Sequence, residues 1–361
     1  MKILFLADAR SVHIRRWMKF FQEQGDEIHL DSLETPPVPS PGIIQIKPKS
    51  RINWLNYFLA TSEVKRAIRR INPDIVNAHF VPNYGFLGAR ANFRPLAVSV
   101  WGSDILISAK KSALHRRRAS YVLRKADLLT SDSQYLSNEM IALGADFSKI
   151  VAFPMCVERD IYPPPARKVS TGERITIVST RKFEPVYNLE LLIDAIPEVV
   201  RKNERVRFII VGEGSQERIL KQKIESEKCS AAVEFIGSLN RADLIALLQR
   251  SDIYVSTSLS DSTSVSLLEA MSCGLVPIVT DIPGNREWVQ DQVNGYLTDT
   301  RQPSLLAQKI LKVCENLKQL QPLVDRNQKL VEEKANYHSH LAQLREKFAK
   351  LMDKGSKSGG L

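Results

Sequence analysis

Short apolar runs and amphipathic segments alternate along the chain, and this alternation predicts its elements. Seven runs in the first half have the length and composition of β-strands: KILFLAD, EIHLDSL, IIQIKP, DIVNAHF, LAVSVWG, LLTSDS and IVAFPM. Segments with an apolar residue every three to four positions, such as HIRRWMKFFQEQ and LHRRRASYVLRKA, lie between most of them and predict helices. Strands that alternate with helices favour a parallel sheet covered by helices on both faces.

The alternation stops once and then begins again. The segment IYPPPARKVSTGE (161–173) is rich in proline and charge and has no periodicity, which is typical of a linker. Six more strand-like runs follow it: RITIVSTR, RFIIVGEG, VEFIGSL, DIYVSTSL, VPIVTD and GYLTD. From about residue 302 the pattern is helical, and it ends in the polar tail GSKSGGL.

These patterns predict two domains, as does the length of 361 residues, which exceeds what one hydrophobic core usually supports. We predict an N-terminal Rossmann-like domain over 1–160, a linker over 161–173, a C-terminal Rossmann-like domain over 174–325, and a C-terminal helix and tail over 326–361. Two doubly wound domains of this kind are expected to face a cleft. Ligands of such folds bind at the carboxyl ends of the strands, so functional residues should follow strands closely.

Composition narrows the class of protein. The chain has 43% apolar and 25% charged residues, as globular proteins do. Its four cysteines are far apart and lack CxxC spacing, which favours a reducing compartment over a disulfide framework or a zinc knuckle. No run approaches 18 apolar residues, and MKILFLADAR is charged too early for a signal peptide. We therefore expect a cytoplasmic protein.

The net charge of +11 is concentrated in the first half, where 23 Lys and Arg face 15 Asp and Glu over residues 1–165. Clusters occur in VKRAIRR (64–70) and KKSALHRRR (110–118), and aromatic residues such as Trp54 precede the first of them. These clusters are either solvated faces of ordinary core helices or a peripheral contact with the anionic inner face of the cell membrane. No nucleic-acid motif or stacking platform accompanies them, so nucleic acid is not an expected partner.

The stretch DSTSVSLLEAMSCG (261–274) joins a small-residue loop to a helix. The loop and the first helical turn present backbone N–H groups and a positive dipole end, which together favour an anion site. Glu269 lies among apolar neighbours on this helix, and a buried carboxylate is costly unless it is paired. A ligand with two adjacent hydroxyls, such as ribose, would satisfy both of its oxygens. The alternative is an ordinary surface acid.

Asp261 and Glu269 have seven residues between them, and the stretch resembles the E-x7-E region of retaining glycosyltransferases of family 4, which have the GT-B fold. The resemblance covers most of the chain. It continues through TDIPGNREWVQDQVNGYLTD, LGADFSKIVAFPMCVERDIYPP, the WGSD loop and the HIRRW helix.

The resemblance implies a donor site built around these acids. Glu269 would accept hydrogen bonds from the ribose 2′- and 3′-hydroxyls of a nucleoside diphosphate sugar. Asp261, one methylene shorter than the usual glutamate, would lie beside the donor sugar. Arg181 would grip the diphosphate with its bidentate fork, unless it is simply an exposed charge at a strand end.

The lysine that the family usually has a few residues after this arginine is replaced by Val186-Tyr187-Asn188. Phosphate binding is therefore expected to depend on Arg181, Lys182 and backbone amides of the next loop. Those amides belong to Ser262, Thr263, Ser264 and Val265. The resemblance also implies that the turns at Gly212, Gly214 and Gly237 flank the base and ribose, where glycine lets backbone approach a ligand closely. Isolated glycines are more often plain turns.

The acceptor side departs from the family. Trp101 stands where many relatives carry a histidine, so that histidine's catalytic role does not transfer. Asp104 is the nearest acid and a candidate to orient the acceptor hydroxyl, and His79 ends a strand at the same edge. The alternatives are a loop cap for Asp104 and a packed ring for His79.

The implied activity is a retaining, hexosyltransferase-type reaction from a nucleoside diphosphate sugar, with UDP favoured, to an acceptor hydroxyl in polysaccharide, lipopolysaccharide or glycolipid synthesis. Metal independence is expected, because there is no Asp-x-Asp and no histidine–carboxylate cluster with metal spacing. A nucleotide-sugar epimerase of GT-B fold is one alternative, and an acceptor-dependent product would separate the two. A non-enzymatic membrane-binding module is the other.

Overall fold

The computed structural model describes residues 1–36, 42–47, 50, 51, 53–154, 157 and 174–358, so the predicted linker over 161–173 lies outside the described residues. The chain divides into two compact units. Unit 1 comprises Met1–Pro154 and His338–Leu361, and unit 2 comprises Met155–Tyr337.

Unit 1 is built on a parallel sheet of seven strands. Their bounds are β1 (Lys2–Leu6), β2 (Glu27–Ser32), β3 (Ile43–Gln45), β4 (Ile75–His79), β5 (Leu96–Ser99), β6 (Leu128–Ser131) and β7 (Ile150–Ala152). The strand order is β3-β2-β1-β4-β5-β6-β7, with Leu6 opposite both Asp31 and Ala78. The order reverses between β1 and β4, so their carboxyl ends form the switch point of a doubly wound sheet.

Helices cover this sheet. Their bounds are α1 (Val12–Glu23), α2 (Asn53–Leu59), α3 (Thr61–Ile71), α4 (Phe86–Ala91), α5 (Ser103–Leu106), α6 (Ala113–Lys125) and α7 (Gln134–Ala142). Capping hydroxyls fix several of their starts: Ser112 Oγ accepts from the backbone N–H of His115, and Ser133 Oγ from that of Leu136. The core between helices and sheet is aliphatic, with Leu4, Val76 and Val98 almost fully buried.

Unit 2 repeats the architecture with six parallel strands in the order β10-β9-β8-β11-β12-β13. The strands are β8 (Ile175–Ser179), β9 (Val206–Val211), β10 (Val233–Ile236), β11 (Ile253–Ser256), β12 (Val276–Thr280) and β13 (Tyr296–Thr298). The helices are α8 (Leu189–Lys202), α9 (Glu217–Ser226), α10 (Arg241–Arg250), α11 (Val265–Ser272), α12 (Pro283–Arg286), α13 (Pro303–Asn316) and α14 (Gln321–Lys334). Here the order reverses between β8 and β11, which places the ends of these two strands side by side. Both predicted parallel sheets are confirmed.

The last helix, α15 (Tyr337–Ser358), belongs mainly to unit 1. Phe348 stacks on Phe21 with ring centroids 5.7 Å apart, and Arg345 donates to both carboxylate oxygens of Asp26, at 2.7 and 3.0 Å. The segment 326–361, which the sequence suggests is one C-terminal extension, is thus divided between the units after Tyr337.

The basic segment 53–70 forms α2 and α3. On α3 the apolar residues are buried in the core of unit 1, while the four cations Lys65, Arg66, Arg69 and Arg70 are exposed. Tyr57 is buried as well, Phe58 is 45% exposed, and the Trp54 side chain lies outside the described residues. The apolar face of α3 therefore serves the core, and only its charged face is free to meet a surface. None of the helices in the described residues is both long and apolar enough to cross a bilayer.

Candidate functional site

A pocket of about 590 Å³ opens in unit 2 at the carboxyl ends of β8, β9 and β10. Its wall combines polar and apolar groups. It is lined by Thr180, Arg181, Lys182, Glu184, Val211, Gly212, Glu213, Gly214, Ser238, Leu239 and Leu244. Arg181 and Lys182 supply positive charge, Glu184 and Glu213 supply negative charge, and Leu239 and Leu244 supply an apolar surface. Such a mixed wall suits a ligand with an anionic part and a flat, weakly polar part.

Arg181 links this pocket to the loop after β11. Its Nη1 donates to the hydroxyl oxygens of Ser264 at 2.7 Å and Ser266 at 2.8 Å, and its Nη2 donates to Asp261 Oδ2 at 2.7 Å. The guanidinium carbon lies 4.2 Å from the centre of the Tyr187 ring. Burial lowers the pKa of Arg181, but the Asp261 carboxylate together with Tyr254 and Tyr187 more than offsets this effect, so the pKa is raised and Arg181 stays a cation.

The 261–264 loop is held against the start of α12. A Cβ placed on Gly284 would lie 2.3 Å from the carbonyl oxygen of Asp261 and 2.4 Å from that of Ser262, so only glycine permits this approach. Ser262, Thr263 and Ser264 are buried, and Ser264 caps α11. Val265 begins the helix and is partly exposed. The predicted anion loop therefore has a fixed backbone beside Arg181.

Glu269 lies on the one partly exposed strip of α11. Leu267, Leu268, Ala270 and Met271 are fully buried, whereas Val265, Ser266 and Glu269 are half-buried. Because residues three and four apart share a helix face, Glu269 is on the same face as Ser266, which binds Arg181. Burial, together with the Glu269 carboxylate, raises the pKa of Cys273 to about 12. Glu269, which is predicted to bind ribose, and Arg181, which is predicted to bind the diphosphate, are thus on the same side of unit 2.

The predicted glycines bring neighbouring loops together. A Cβ on Gly212 would meet the Arg181 carbonyl oxygen at 2.6 Å, and one on Gly214 would meet that of Phe183 at 2.5 Å. Carboxylates complete the connection: Glu184 accepts from the Ser215 backbone N–H and hydroxyl. Glu213 accepts from the N–H of Ser238, next to Gly237. The close approach that these glycines permit in unit 2 is therefore between its own loops, and it shapes the pocket.

In unit 1, Asp104 is completely buried. Its oxygens accept from the backbone N–H groups of Val81 at 3.0 Å, Trp101 at 3.1 Å and Ile105 at 3.1 Å. Burial raises its pKa to about 6, and these hydrogen bonds oppose the rise. This environment favours the loop cap that the sequence left as an alternative.

His79 is 2% exposed, and its neighbours are aromatic. The rings of Phe5, Trp17 and Trp101 have centroids 5.6, 5.1 and 5.7 Å from its own. Both of its ring nitrogens are buried without a hydrogen-bond partner among the described residues, and burial lowers its pKa to about 3. His79 is therefore a neutral, packed ring, as in the other alternative. Trp101 is half-buried and lies 5.4 Å from the His13 ring.

Three residues that shape the site were not predicted from the sequence: Tyr187, Ser266 and Gly284. Tyr187 belongs to the segment Val186-Tyr187-Asn188 that replaces the usual lysine, but its contact with the Arg181 guanidinium depends on tertiary structure. Within the described part of the chain, no group of three or more His, Cys, Asp or Glu could hold a metal ion.

Two sequence models match the chain in tandem. The model described as Glycosyl transferase 4-like matches residues 2–133, and the model described as Glycosyl transferases group 1 matches residues 165–330. The first range contains His79 and Asp104, and the second contains Arg181, Asp261 and Glu269.

Curated relatives carry glycosyltransferase names. A phosphatidylinositol N-acetylglucosaminyltransferase subunit of Arabidopsis thaliana is 28% identical over 156 residues, which are 43% of this chain and 35% of that protein. The chain thus spans about a third of the length of the first curated relatives that it matches. The amylovoran biosynthesis glycosyltransferase AmsK of Erwinia amylovora is 24% identical over 288 residues, which are 75% of this chain and 70% of that protein.

Among solved structures, HepE of Anabaena, in complexes with UDP and with UDP-glucose, aligns with a TM-score of 0.80 at 20% identity. The alignment covers 97% of this chain and 100% of HepE. At this identity the likeness shows a shared fold, and the expected GT-B fold is confirmed. With two matching sequence models and this architecture, the chain belongs to the family 4 type of glycosyltransferases.

Proposed function

We propose that the protein transfers a sugar from a nucleoside diphosphate sugar, with UDP favoured, to an acceptor hydroxyl with retention of anomeric configuration. One observation supports the proposal most directly. Arg181 lines a pocket of unit 2 and donates hydrogen bonds to the 261–264 loop, which leads into the helix α11 that carries Glu269. A diphosphate is bound by cations and by the N–H groups at a helix start, and the hydroxyls of a ribose are bound by a carboxylate.

Each part of the donor has a matching part of the site. The diphosphate is assigned to the side chains of Lys182 and Arg181 and to the backbone N–H groups at the start of α11. The ribose hydroxyls are assigned to Glu269, three residues from Ser266 on the same face. The base is assigned to the part of the pocket lined by Gly212, Leu239 and Leu244.

Names of relatives support UDP and a glycan or glycolipid product. HepE was solved with UDP and with UDP-glucose. AmsK is named for amylovoran biosynthesis, and the Arabidopsis relative for transfer of N-acetylglucosamine to phosphatidylinositol. We extend these properties to this chain as a UDP-sugar donor and an acceptor in polysaccharide or glycolipid synthesis.

The proposed mechanism is front-face displacement without a metal ion. Charge that develops on the leaving diphosphate is stabilised by cationic side chains and by backbone amides at the start of α11. The leaving oxygen also accepts the proton of the acceptor hydroxyl. This proton path suits the chain, because Asp104 is saturated by backbone N–H groups and His79 is enclosed by aromatic rings. The protein's contribution is then mainly positioning and electrostatics.

Calorimetry with UDP, GDP, ADP and their glucose conjugates tests the donor. We expect UDP to bind, and Glu269→Gln to weaken it by about 1–3 kcal/mol, because two charge-assisted hydrogen bonds become neutral. Glu225→Gln, on the exposed face of α9, is the matched control and should bind like the parent protein. Parental affinity in a folded Glu269→Gln variant would remove Glu269 from the ribose site.

Product analysis tests the reaction. With UDP-glucose and a panel of lipid-linked and oligosaccharide acceptors, NMR of the product should show the anomeric configuration of the donor. An inverted product would contradict the front-face mechanism. A changed sugar nucleotide that forms without acceptor would indicate the epimerase alternative.

We also infer contact with an anionic membrane surface through unit 1. A groove of about 700 Å³ runs along α6, and five cations line it: Arg94, Arg116, Arg117, Arg124 and Lys125. Of these, Arg94 pairs with Asp127, whereas the other four have no ion pair among the described residues. Exposed Leu114 and the exposed cations of α3 belong to the same unit. Each cation near an anionic leaflet contributes about 1 kcal/mol, so several together hold a protein reversibly.

Co-sedimentation with vesicles tests this contact. Binding to phosphatidylglycerol-containing vesicles should fall as salt rises, and should be lost when Lys65, Arg66, Arg116 and Arg117 are changed to Gln. Arg118 is left intact because its guanidinium lies 3.9 Å from the Phe86 ring. The control is a variant in which Arg326, Lys329 and Lys334 of α14 are changed to Gln, and it should bind vesicles like the parent protein. Equal binding to neutral and anionic vesicles at low salt would contradict the proposal.

A further inference from the structure

The guanidinium of Arg181 already donates three of its hydrogen bonds to protein groups. An arginine carries five N–H bonds. Both on Nη1 are used by Ser264 and Ser266, and one on Nη2 is used by Asp261. The N–H on Nε is buried without a partner among the described residues, and the Tyr187 ring lies against the guanidinium. A diphosphate therefore does not meet a free fork here; it meets a cation that is paired with a carboxylate.

Asp261 is fixed in the position that makes this pair. Its carbonyl oxygen lies against Gly284, so its backbone cannot retreat without opening the start of α12. Its short side chain reaches Arg181 at 2.7 Å, and the two side chains are 18% and 9% exposed. An ion pair with so little solvent is weakly screened and persists in moderate salt.

We infer that Asp261 is a counter-ion that competes with the donor diphosphate for Arg181, and so weakens the binding of UDP and of a UDP-sugar alike. This inference rests on the proposed donor site. It differs from the role implied by the family resemblance, in which this acid lies beside the donor sugar. The two roles predict different ligands to be affected by Asp261: every diphosphate in the first case, and only the sugar-bearing donor in the second.

A counter-ion of this kind would speed the release of UDP after the sugar has been transferred. The product UDP keeps the whole diphosphate, so an enzyme that binds diphosphate too tightly is limited by product release. A carboxylate that re-pairs with Arg181 as UDP leaves would lower this barrier. Asp261 is then a positioning residue, because it acts on the ligand through Arg181.

Asp261→Asn is the decisive variant, since the amide keeps the shape and removes the charge. Calorimetry with UDP, UDP-glucose and inorganic pyrophosphate should show tighter binding of all three by a similar factor. We expect about tenfold, because one like charge is removed close to the diphosphate in a partly screened site. The gain should persist in moderate salt, because a charge with so little exposure to solvent is weakly screened. Asp261→Ser is the second variant, for use if the asparagine form is unstable.

Asp281→Asn is the matched control. Asp281 also pairs with an arginine of unit 2, Arg286, at 2.6 Å, but this pair is exposed. It should leave all three isotherms unchanged. Unchanged UDP affinity together with weaker UDP-glucose binding in Asp261→Asn would overturn the inference in favour of a sugar contact. Weaker binding of UDP would also overturn it, because Asp261 would then organise Arg181 for the diphosphate.

Pyrophosphate separates this inference from the proposed function. A parent protein that binds none of the nucleotides or nucleotide sugars would contradict the proposed donor class. The counter-ion role would then be decided by pyrophosphate, which needs neither base nor sugar. Tighter pyrophosphate binding in Asp261→Asn supports the role, and equal or absent binding in both proteins overturns it.

Discussion

Asp31 on β2 allows a quantitative test of the packing of unit 1. It is 1% exposed, and neither carboxylate oxygen has a hydrogen-bond partner among the described residues. Burial raises its pKa to about 6, although Arg70 and His29 oppose the rise. The folded chain therefore keeps this proton at pH values where the unfolded chain, with a pKa near 4, has lost it.

The sign follows from proton binding. Between about pH 4 and pH 6 the folded state binds more protons than the unfolded state, so stability falls as pH rises through this window. The whole difference amounts to about 3 kcal/mol above pH 6. Asp31→Asn cannot titrate, so the stability of the variant relative to the parent should rise by about 2–3 kcal/mol between pH 4 and pH 7.

Urea unfolding followed by tryptophan fluorescence measures this difference, because three of the four tryptophans lie in Met1–Pro154. Asp146→Asn is a control of opposite sign, since hydrogen bonds from Ser148 lower the pKa of Asp146. That variant should lose stability relative to the parent as pH rises through the range below about pH 4, and the difference should change little between pH 5 and pH 7. A difference between Asp31→Asn and parent that stays constant from pH 4 to pH 7 would refute the reasoning, because Asp31 would then titrate normally.

Three further changes probe the sites directly. Arg181→Lys should lower both UDP affinity and turnover, because a point charge cannot replace a planar fork held by two serines and an aspartate; steady-state kinetics would count against this if they matched the parent. Asp104→Ala should lower the free energy of unfolding by about 3 kcal/mol or more, because buried N–H groups of Val81, Trp101 and Ile105 lose their acceptor. Thermal unfolding at the parental temperature would argue against the cap. Gly284→Ala should weaken UDP binding by displacing the 261–264 loop, and a parental isotherm would show that this loop is not part of the site.

The strands were the most predictable part of the molecule. Every strand of the described residues overlaps an apolar run of the sequence, and only β9 begins before its run, at Val206. Parallel strands are buried on both faces and are therefore rich in Val, Ile and Leu. The parallel pairing of the strands followed from their alternation with helices. The division of the C-terminal segment after Tyr337 did not, because both of its helices are amphipathic and the pattern does not name the partner surface.

Local motifs name Arg181, Asp261 and Glu269 as candidate site residues, but they do not predict the contacts between them. The pairing of Arg181 with Asp261 joins residues 80 positions apart, which spacing alone does not reveal. Burial was equally invisible for Asp104 and His79, because a polar residue after a strand looks the same whether it faces a ligand or caps a loop. The apolar face of α3 was ambiguous for a similar reason.

The packing of α15 on unit 1 has a consequence for synthesis on the ribosome. The buried carboxylate of Asp26 receives Arg345, a residue 319 positions later. At 5–20 residues per second, an elongating chain needs on the order of 10–40 s after Pro154 to produce this helix. During that interval the Phe21 ring and the Asp26 carboxylate lack the helix α15 that covers them in the folded protein. A nascent chain of this protein thus presents a chaperone-accessible apolar surface until α15 has been translated.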